Sequence, residues 1–130
     1  MLMITIRTVK PSEMDSAKDF IQSVFPDALV QIGDEDIILV AEYNTKLIGF
    51  AHVIEEEERI LLQGLGVDQA MRGHGVGSFL LENILDLFGE FKPIYLKVKI
   101  TNPAIDLYSR YGFFLKKFGE RLLLVKKFNT

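Results

Sequence analysis

No cysteine occurs among the 130 residues, and several chemistries fall away with it. A disulfide framework, a thiolate zinc site, a thioredoxin-type redox pair and a cysteine nucleophile are all excluded. Long apolar runs are missing too. The longest extend over a few residues, as in Ile37–Ala41, far short of a membrane span. The opening Met1-Leu2-Met3-Ile4-Thr5-Ile6-Arg7 lacks a basic segment followed by a long apolar one, so it is not expected to be a signal peptide. There is no basic excess. The net charge is −3, which speaks against a nucleic-acid partner, since such a partner favours a basic face. An anionic ligand would have to be drawn by local geometry rather than by overall charge. Repeats, linkers and low-complexity tracts are also lacking. The expectation is a cytoplasmic protein with no membrane partner.

What is present is an ordinary globular composition, 48% hydrophobic and 25% charged. A chain of this length suits one domain, 1–130, able to bury a core without metal or disulfide. Ile4–Val9 alternates apolar and polar residues and reads as a strand. Ser12 with Asp15 resembles a helix N-cap, and Met14, Ala17, Ile21 and Val24 follow at helical spacing before Pro26. Asp36–Tyr43 and Lys46–Glu55 read as strands joined at Asn44-Thr45, followed by an acidic turn at Glu55–Glu58. Arg59–Val67 is a further strand whose Gly64 and Gly66 suggest a bulge or a close backbone approach. Phe79, Leu80, Ile84, Leu85 and Phe88 form a helix ending at Gly89, and Ile94–Ile100 a strand. Asn102-Pro103 opens a helix with Pro103 at its first position. Phe113–Phe118 and Arg121–Phe128 are strands joined at Gly119-Glu120. This order implies one mixed sheet covered by helices.

The most informative stretch is Arg72-Gly73-His74-Gly75-Val76-Gly77-Ser78, which leaves a strand and enters a helix. A first helical turn offers unpaired N–H groups and the positive end of the dipole to a phosphate. Glycines let the ligand approach, and Arg72 adds a fixed charge. Other glycine signatures fit less well. Ser78 stands where a dinucleotide fingerprint needs glycine, and Tyr95 lies near the position of its ribose-binding acid. No Gly-Lys-Ser/Thr follows for a P-loop, and no G-x-S-x-G nucleophile elbow is present. A purely structural turn would not need three alternate glycines.

Arg72–Gly77, with Val67 five residues ahead, resembles the R-x-x-G-x-G element of the GNAT superfamily of N-acetyltransferases. Asn102, Ala104-Ile105-Asp106-Leu107-Tyr108 and Gly112-Phe113 resemble that family's N…A-x-x-L-Y-x-x-x-G-F segment. The resemblance in element order runs from Ile4 to Phe128. It implies an α/β (α+β) fold: a mixed, mostly antiparallel seven-stranded sheet, splayed between its fourth and fifth strands and flanked by three to four helices. It also implies acetyl-coenzyme A as cosubstrate and an amine as acceptor. Pantetheine would bond the backbone of Leu65 and Val67, and the diphosphate would sit on amides from Arg72 through Gly73, His74, Gly75, Val76 and Gly77 to Ser78.

The same resemblance makes Tyr108 the donor to the leaving thiolate; from the residues alone it reads as a half-buried aromatic on a helix face. Tyr111, three residues on, is the rival. Asn102 has two readings, a contact to pantetheine or a cap on the adjacent backbone. Relatives often carry a glutamate base on the fourth strand, where this chain has Gln63. Glu55 and Glu56 are the substitutes, with a solvated acidic turn as the plainer alternative. His52 and His74 are too few for a metal site, and His74 is expected to face solvent. Two functions follow: direct transfer of acetyl to the primary amine of a small molecule or protein in a ternary complex, or a non-catalytic acyl-coenzyme A sensor or subunit. A homodimer is left open.

Overall fold

The computed structural model describes residues 3–89, 92–117, 119 and 121–126. Phe118, Glu120 and the end of the last expected strand, 127–128, lie outside the described residues. In chain order the elements are β1 (Thr5–Thr8), a 3-10 turn (Pro11–Glu13), α1 (Met14–Val24), β2 (Ile37–Tyr43), β3 (Lys46–Glu55) and β4 (Ile60–Val67). A second 3-10 turn (Gln69–Met71) leads to α2 (Val76–Phe88), β5 (Ile94–Lys99), α3 (Ile105–Arg110), β6 (Phe114–Lys117) and β7 (Arg121–Lys126). The seven strands form one sheet in the order β1-β2-β3-β4-β5-β7-β6. Every neighbouring pair is antiparallel except β4 and β5.

Both faces of the sheet's first half are covered, which explains the unbroken apolar run of β2. Ile38 and Val40 point with Phe50 toward Ala17 and Ile21 of α1. Leu39 and Ala41, one residue out of phase, point with Ala51 and Val53 toward Val76, Leu80, Leu81 and Ile84 of α2. Burial of an aliphatic side chain of this size contributes roughly 1.5–3 kcal/mol. The β2–β3 turn is tight because Asn44 and Thr45 both take the left-handed conformation, at φ 51° and 63°, the twist a two-residue hairpin requires.

Two expected helix starts are corrected. Ser12 does not cap α1; it lies in the preceding 3-10 turn, where Glu13 accepts the Lys10 N–H at 3.1 Å while its carboxylate grips Arg7 at 2.8 Å. Arg7 holds the Glu13 carboxyl down at about 2. Pro103 does not begin a helix either. The Asn102 side-chain oxygen accepts the Ala104 N–H at 2.8 Å, an Asx turn that delays α3 to Ile105.

The glycines of β4 have a packing reason. A Cβ on Gly66 would lie 2.7 Å from Phe50, 2.8 Å from Phe25 and 2.9 Å from Val24, and one on Gly64 would lie 3.3 Å from Phe50. The aromatic rings cross the strand where other residues carry side chains. Gly66→Ala should therefore overpack the α1 face and lower stability by roughly 1–3 kcal/mol, read as a lower denaturant midpoint at unchanged m-value; an unchanged midpoint would show that the rings move freely.

Candidate active site

The site begins with a bulge. Val53 of β3 pairs with Leu62 and His52 pairs with Gly64, so Gln63 is the extra residue on β4. An unpaired residue bends its strand and ends regular pairing. On the other side, β4 pairs with β5 only at Ile60↔Ile94 and Leu61↔Tyr95. Beyond those two pairs the strands diverge, while β5 stays paired to β7 through Lys99↔Arg121. The splay expected between the fourth and fifth strands is thus present, and it opens at Gln63.

Divergence leaves one edge of β4 without a strand partner. The Asp68 N–H bonds the Ile48 carbonyl of β3 at 2.8 Å. Alternation along the strand then turns the N–H and C=O of Val67 and Leu65 away from β3, into the gap. A ligand lying in the gap meets them as a strand would.

The glycine turn stands at the open end. Gly73 and Gly75 have φ of 84° and 81°, which only glycine adopts at little cost. A Cβ on either would have nothing within 4 Å, so the space over them is free for a ligand. Gly75 caps α2, and Phe79 makes the first helical bond, to the Gly75 carbonyl at 3.0 Å. The amides of Val76, Gly77 and Ser78 are left unpaired by the helix. Val76 sends its side chain into the core, while Arg72 and His74 are exposed. Arg72 donates from Nε to the Val67 carbonyl at 3.3 Å, which ties the turn back to β4. A groove of about 660 Å³ runs past Leu65, Val67, Arg72, Gly73, Gly77 and Asn102.

That groove continues into a smaller cavity of about 200 Å³ through Leu65, Asn102 and Phe25, and this cavity reaches Gln63, His52 and Tyr108. Tyr108 is only 4% exposed, and its ring stands edge-on to Phe113 at 5.6 Å. Burial pushes its phenol up to about 12, so at neutral pH the hydroxyl keeps its proton and can donate. Tyr111 is placed elsewhere: its hydroxyl donates to Glu82 of α2 at 2.5 Å. The Asx turn occupies the Asn102 oxygen, which accounts for the capping role; its amide nitrogen remains available at the cavity wall.

Glu55 and Glu56 are not brought to this cavity. They lie at the closed end of the splay, Glu55 facing Lys92 at 3.3 Å and Glu56 bonded to Arg59 at 2.6 Å. A different basic group lines it. His52, 5% exposed, pairs through Nε2 with Asp36 at 2.8 Å, and Asp36 is itself fixed by the Gly33 N–H at 2.8 Å. A carboxylate accepts from Nε2–H, which leaves the lone pair on Nδ1. Among the described residues Nδ1 has no hydrogen-bond partner, and it is not sealed from open space. The pair joins residues 16 positions apart, and no spacing rule along the chain connects them. No group of three or more metal-ligating side chains occurs among the described residues. None of their helices is long and apolar enough to cross a membrane.

A third space, about 890 Å³, opens on the α1 face of β4, β5 and β7, lined by Arg59, Tyr95, Lys97, Lys117 and Arg121. It meets the small cavity at Leu62, Gln63 and Lys97.

The model of the acetyltransferase (GNAT) family matches residues 5–113. No curated protein matches the chain. Among solved structures, the ribosomal-protein-S18-alanine N-acetyltransferase of Escherichia coli superposes with a TM-score of 0.80 at 21% identity, covering 95% of this chain and 91% of that one. Naa50 of Arabidopsis thaliana, in complex with the bisubstrate analogue CoA-Ac-MVNAL, gives 0.78 at 23% identity over 96% and 99%. NAA60 of the same plant, in complex with acetyl-CoA, gives 0.78 at 20% identity over 96% and 99%. At these identities the likeness establishes the fold.

Proposed function

Because the chain belongs to the acetyltransferase (GNAT) family, we propose that it transfers acetyl from acetyl-coenzyme A directly to a primary amine, with both substrates bound together. The observation that carries this is the continuous path from the glycine turn, along the unpaired edge of β4, to the cavity holding Tyr108. Diphosphate on the amides between Gly73 and Ser78 would be held by the helix dipole and Arg72. Pantetheine would run as a pseudo-strand on the Leu65 and Val67 backbone. The thioester would then reach the bulge at Gln63. Two neighbours of the same fold hold coenzyme-derived ligands, which supports this seat.

The amine lone pair attacks the thioester carbonyl carbon, the C–S bond breaks and an amide forms. Tyr108 donates a hydrogen bond to the departing sulfur, which leaves as a thiolate and takes its proton from solvent. The proton lost by nitrogen goes to His52 Nδ1, directly or through a water, with Asp36 holding the ring and stabilising the imidazolium. Gln63 cannot take that proton. Initial rates with both substrates varied should give intersecting lines; a parallel pattern would indicate an acetylated enzyme instead. His52→Gln should lower kcat about 10²-fold with coenzyme A affinity unchanged, whereas Glu55→Gln and Glu56→Gln should stay close to the parent rate. Full activity in His52→Gln together with loss in Glu55→Gln or Glu56→Gln would move the base from His52 to the carboxylates.

A further inference from the structure

We infer that the acceptor amine carries carboxylate groups, and that the groove on the α1 face of β4, β5 and β7 holds them. This deepens the transferase reading above and rests on it. The groove is lined by Arg59, Lys97, Lys117 and Arg121, and among the described residues no aspartate or glutamate lines it. Its floor is Tyr95, whose ring lies 5.3 Å from Arg59 and 5.2 Å from Lys116. Arg59 has a carboxylate partner in Glu56 at 2.6 Å. Among the described residues Lys97, Lys116, Lys117 and Arg121 have none within 4.0 Å.

This concentration of positive charge stands out in a chain whose overall net charge is −3. Three of the four lining cations have no carboxylate partner among the described residues, which points to a ligand that supplies the missing charge. Coenzyme A is not that ligand in the seat proposed above. Among the described residues the groove past Arg72 and Gly73 shares no lining residue with the basic one, and both share residues with the small cavity. What enters from the basic side is therefore the acceptor.

The same cations favour catalysis. A like charge near an ammonium disfavours the protonated form, so more of the bound amine is neutral and able to attack. A dicationic acceptor such as a polyamine is repelled on entry.

The test uses matched acceptors with acetyl-coenzyme A and the full chain. One arm pairs peptides that differ only in aspartates or lysines after a free N-terminus. The other pairs aspartate with a diamine. In the arm that corresponds to the true substrate, kcat/KM should favour the anionic member at least tenfold at low salt, and the preference should shrink as salt screens it. In the double variant Lys117→Glu, Arg121→Glu the preference should fall at least tenfold or invert. A ratio measured within one preparation is unaffected by how much of that preparation is folded. Equal or better use of cationic acceptors, or a ratio unmoved by the double variant, would overturn the inference and leave the transferase reading standing. Transfer to none of the acceptors would bring down both.

Discussion

Replacing Gly75 by glutamate should weaken coenzyme A binding by well over tenfold, more than ~1.4 kcal/mol. Two effects act together. The position has φ of 81°, where a side-chain-bearing residue costs about 1–3 kcal/mol. The Cβ also projects into space with nothing within 4 Å, which is the space assigned to the diphosphate. A carboxylate there replaces an anion seat with an anion at the N-terminus of α2, where the dipole attracts it in place of the ligand. Gly75→Asn separates the contributions, because asparagine tolerates the left-handed conformation without adding charge. Its affinity should lie between the parent and the glutamate variant. Calorimetric titration on protein with a confirmed melting transition makes the comparison, and parent-like affinity in folded Gly75→Glu would remove the phosphate seat from this turn.

Tyr108→Phe should lower turnover by about 10²-fold or more, the range for losing a hydrogen-bond donor aimed at charge that develops in the transition state, while coenzyme A affinity barely changes. The ring is packed against Phe113 and buried, so phenylalanine preserves the packing and deletes only the hydroxyl. Because burial holds the phenol up at about 12, against about 10 for a free tyrosine, the hydroxyl stays protonated through the alkaline range. The parent should therefore show no loss of kcat attributable to this group between neutrality and pH 10. Full turnover in Tyr108→Phe, with the chemical step shown to limit the rate, would leave the residue as packing alone. Tyr111→Phe is the matched comparison. Its hydroxyl is engaged by Glu82, and its removal should not change kcat.

Local features were readable wherever the signal lay within a few residues. The alternation of β1, the hairpin at Asn44-Thr45 and the glycines ahead of α2 each follow from short-range sterics, and all are where the chain placed them. The bulge was half readable. Gly64 and Gly66 marked a disturbance in β4, but the extra residue is Gln63, and the glycines are there because Phe50 and Phe25 cross the strand. Rings from β3 and the end of α1 are invisible from β4 alone. Ser12 satisfies a local capping pattern, but the chain before α1 is held by Glu13, whose partner Arg7 sits on β1. The most consequential features needed the sheet order. His52 and Asp36 meet only once β2 and β3 pair. Arg59, Lys97 and the β6–β7 hairpin that carries Lys117 and Arg121 are three separate stretches, and they converge because β5 lies between β4 and β7.

The central claim, transfer of acetyl to an amine within this splay, is tested most directly by mass spectrometry of a single turnover. The protein is held in excess over isotopically labelled acetyl-coenzyme A and mixed with a library of free amines. The label should appear on an amine, in amide linkage, in step with release of free thiol, and none should reside on the protein. Binding of acetyl-coenzyme A with the thioester intact across the whole library, and no labelled amine, would contradict the account and make the chain a sensor or a subunit that holds the coenzyme without using it.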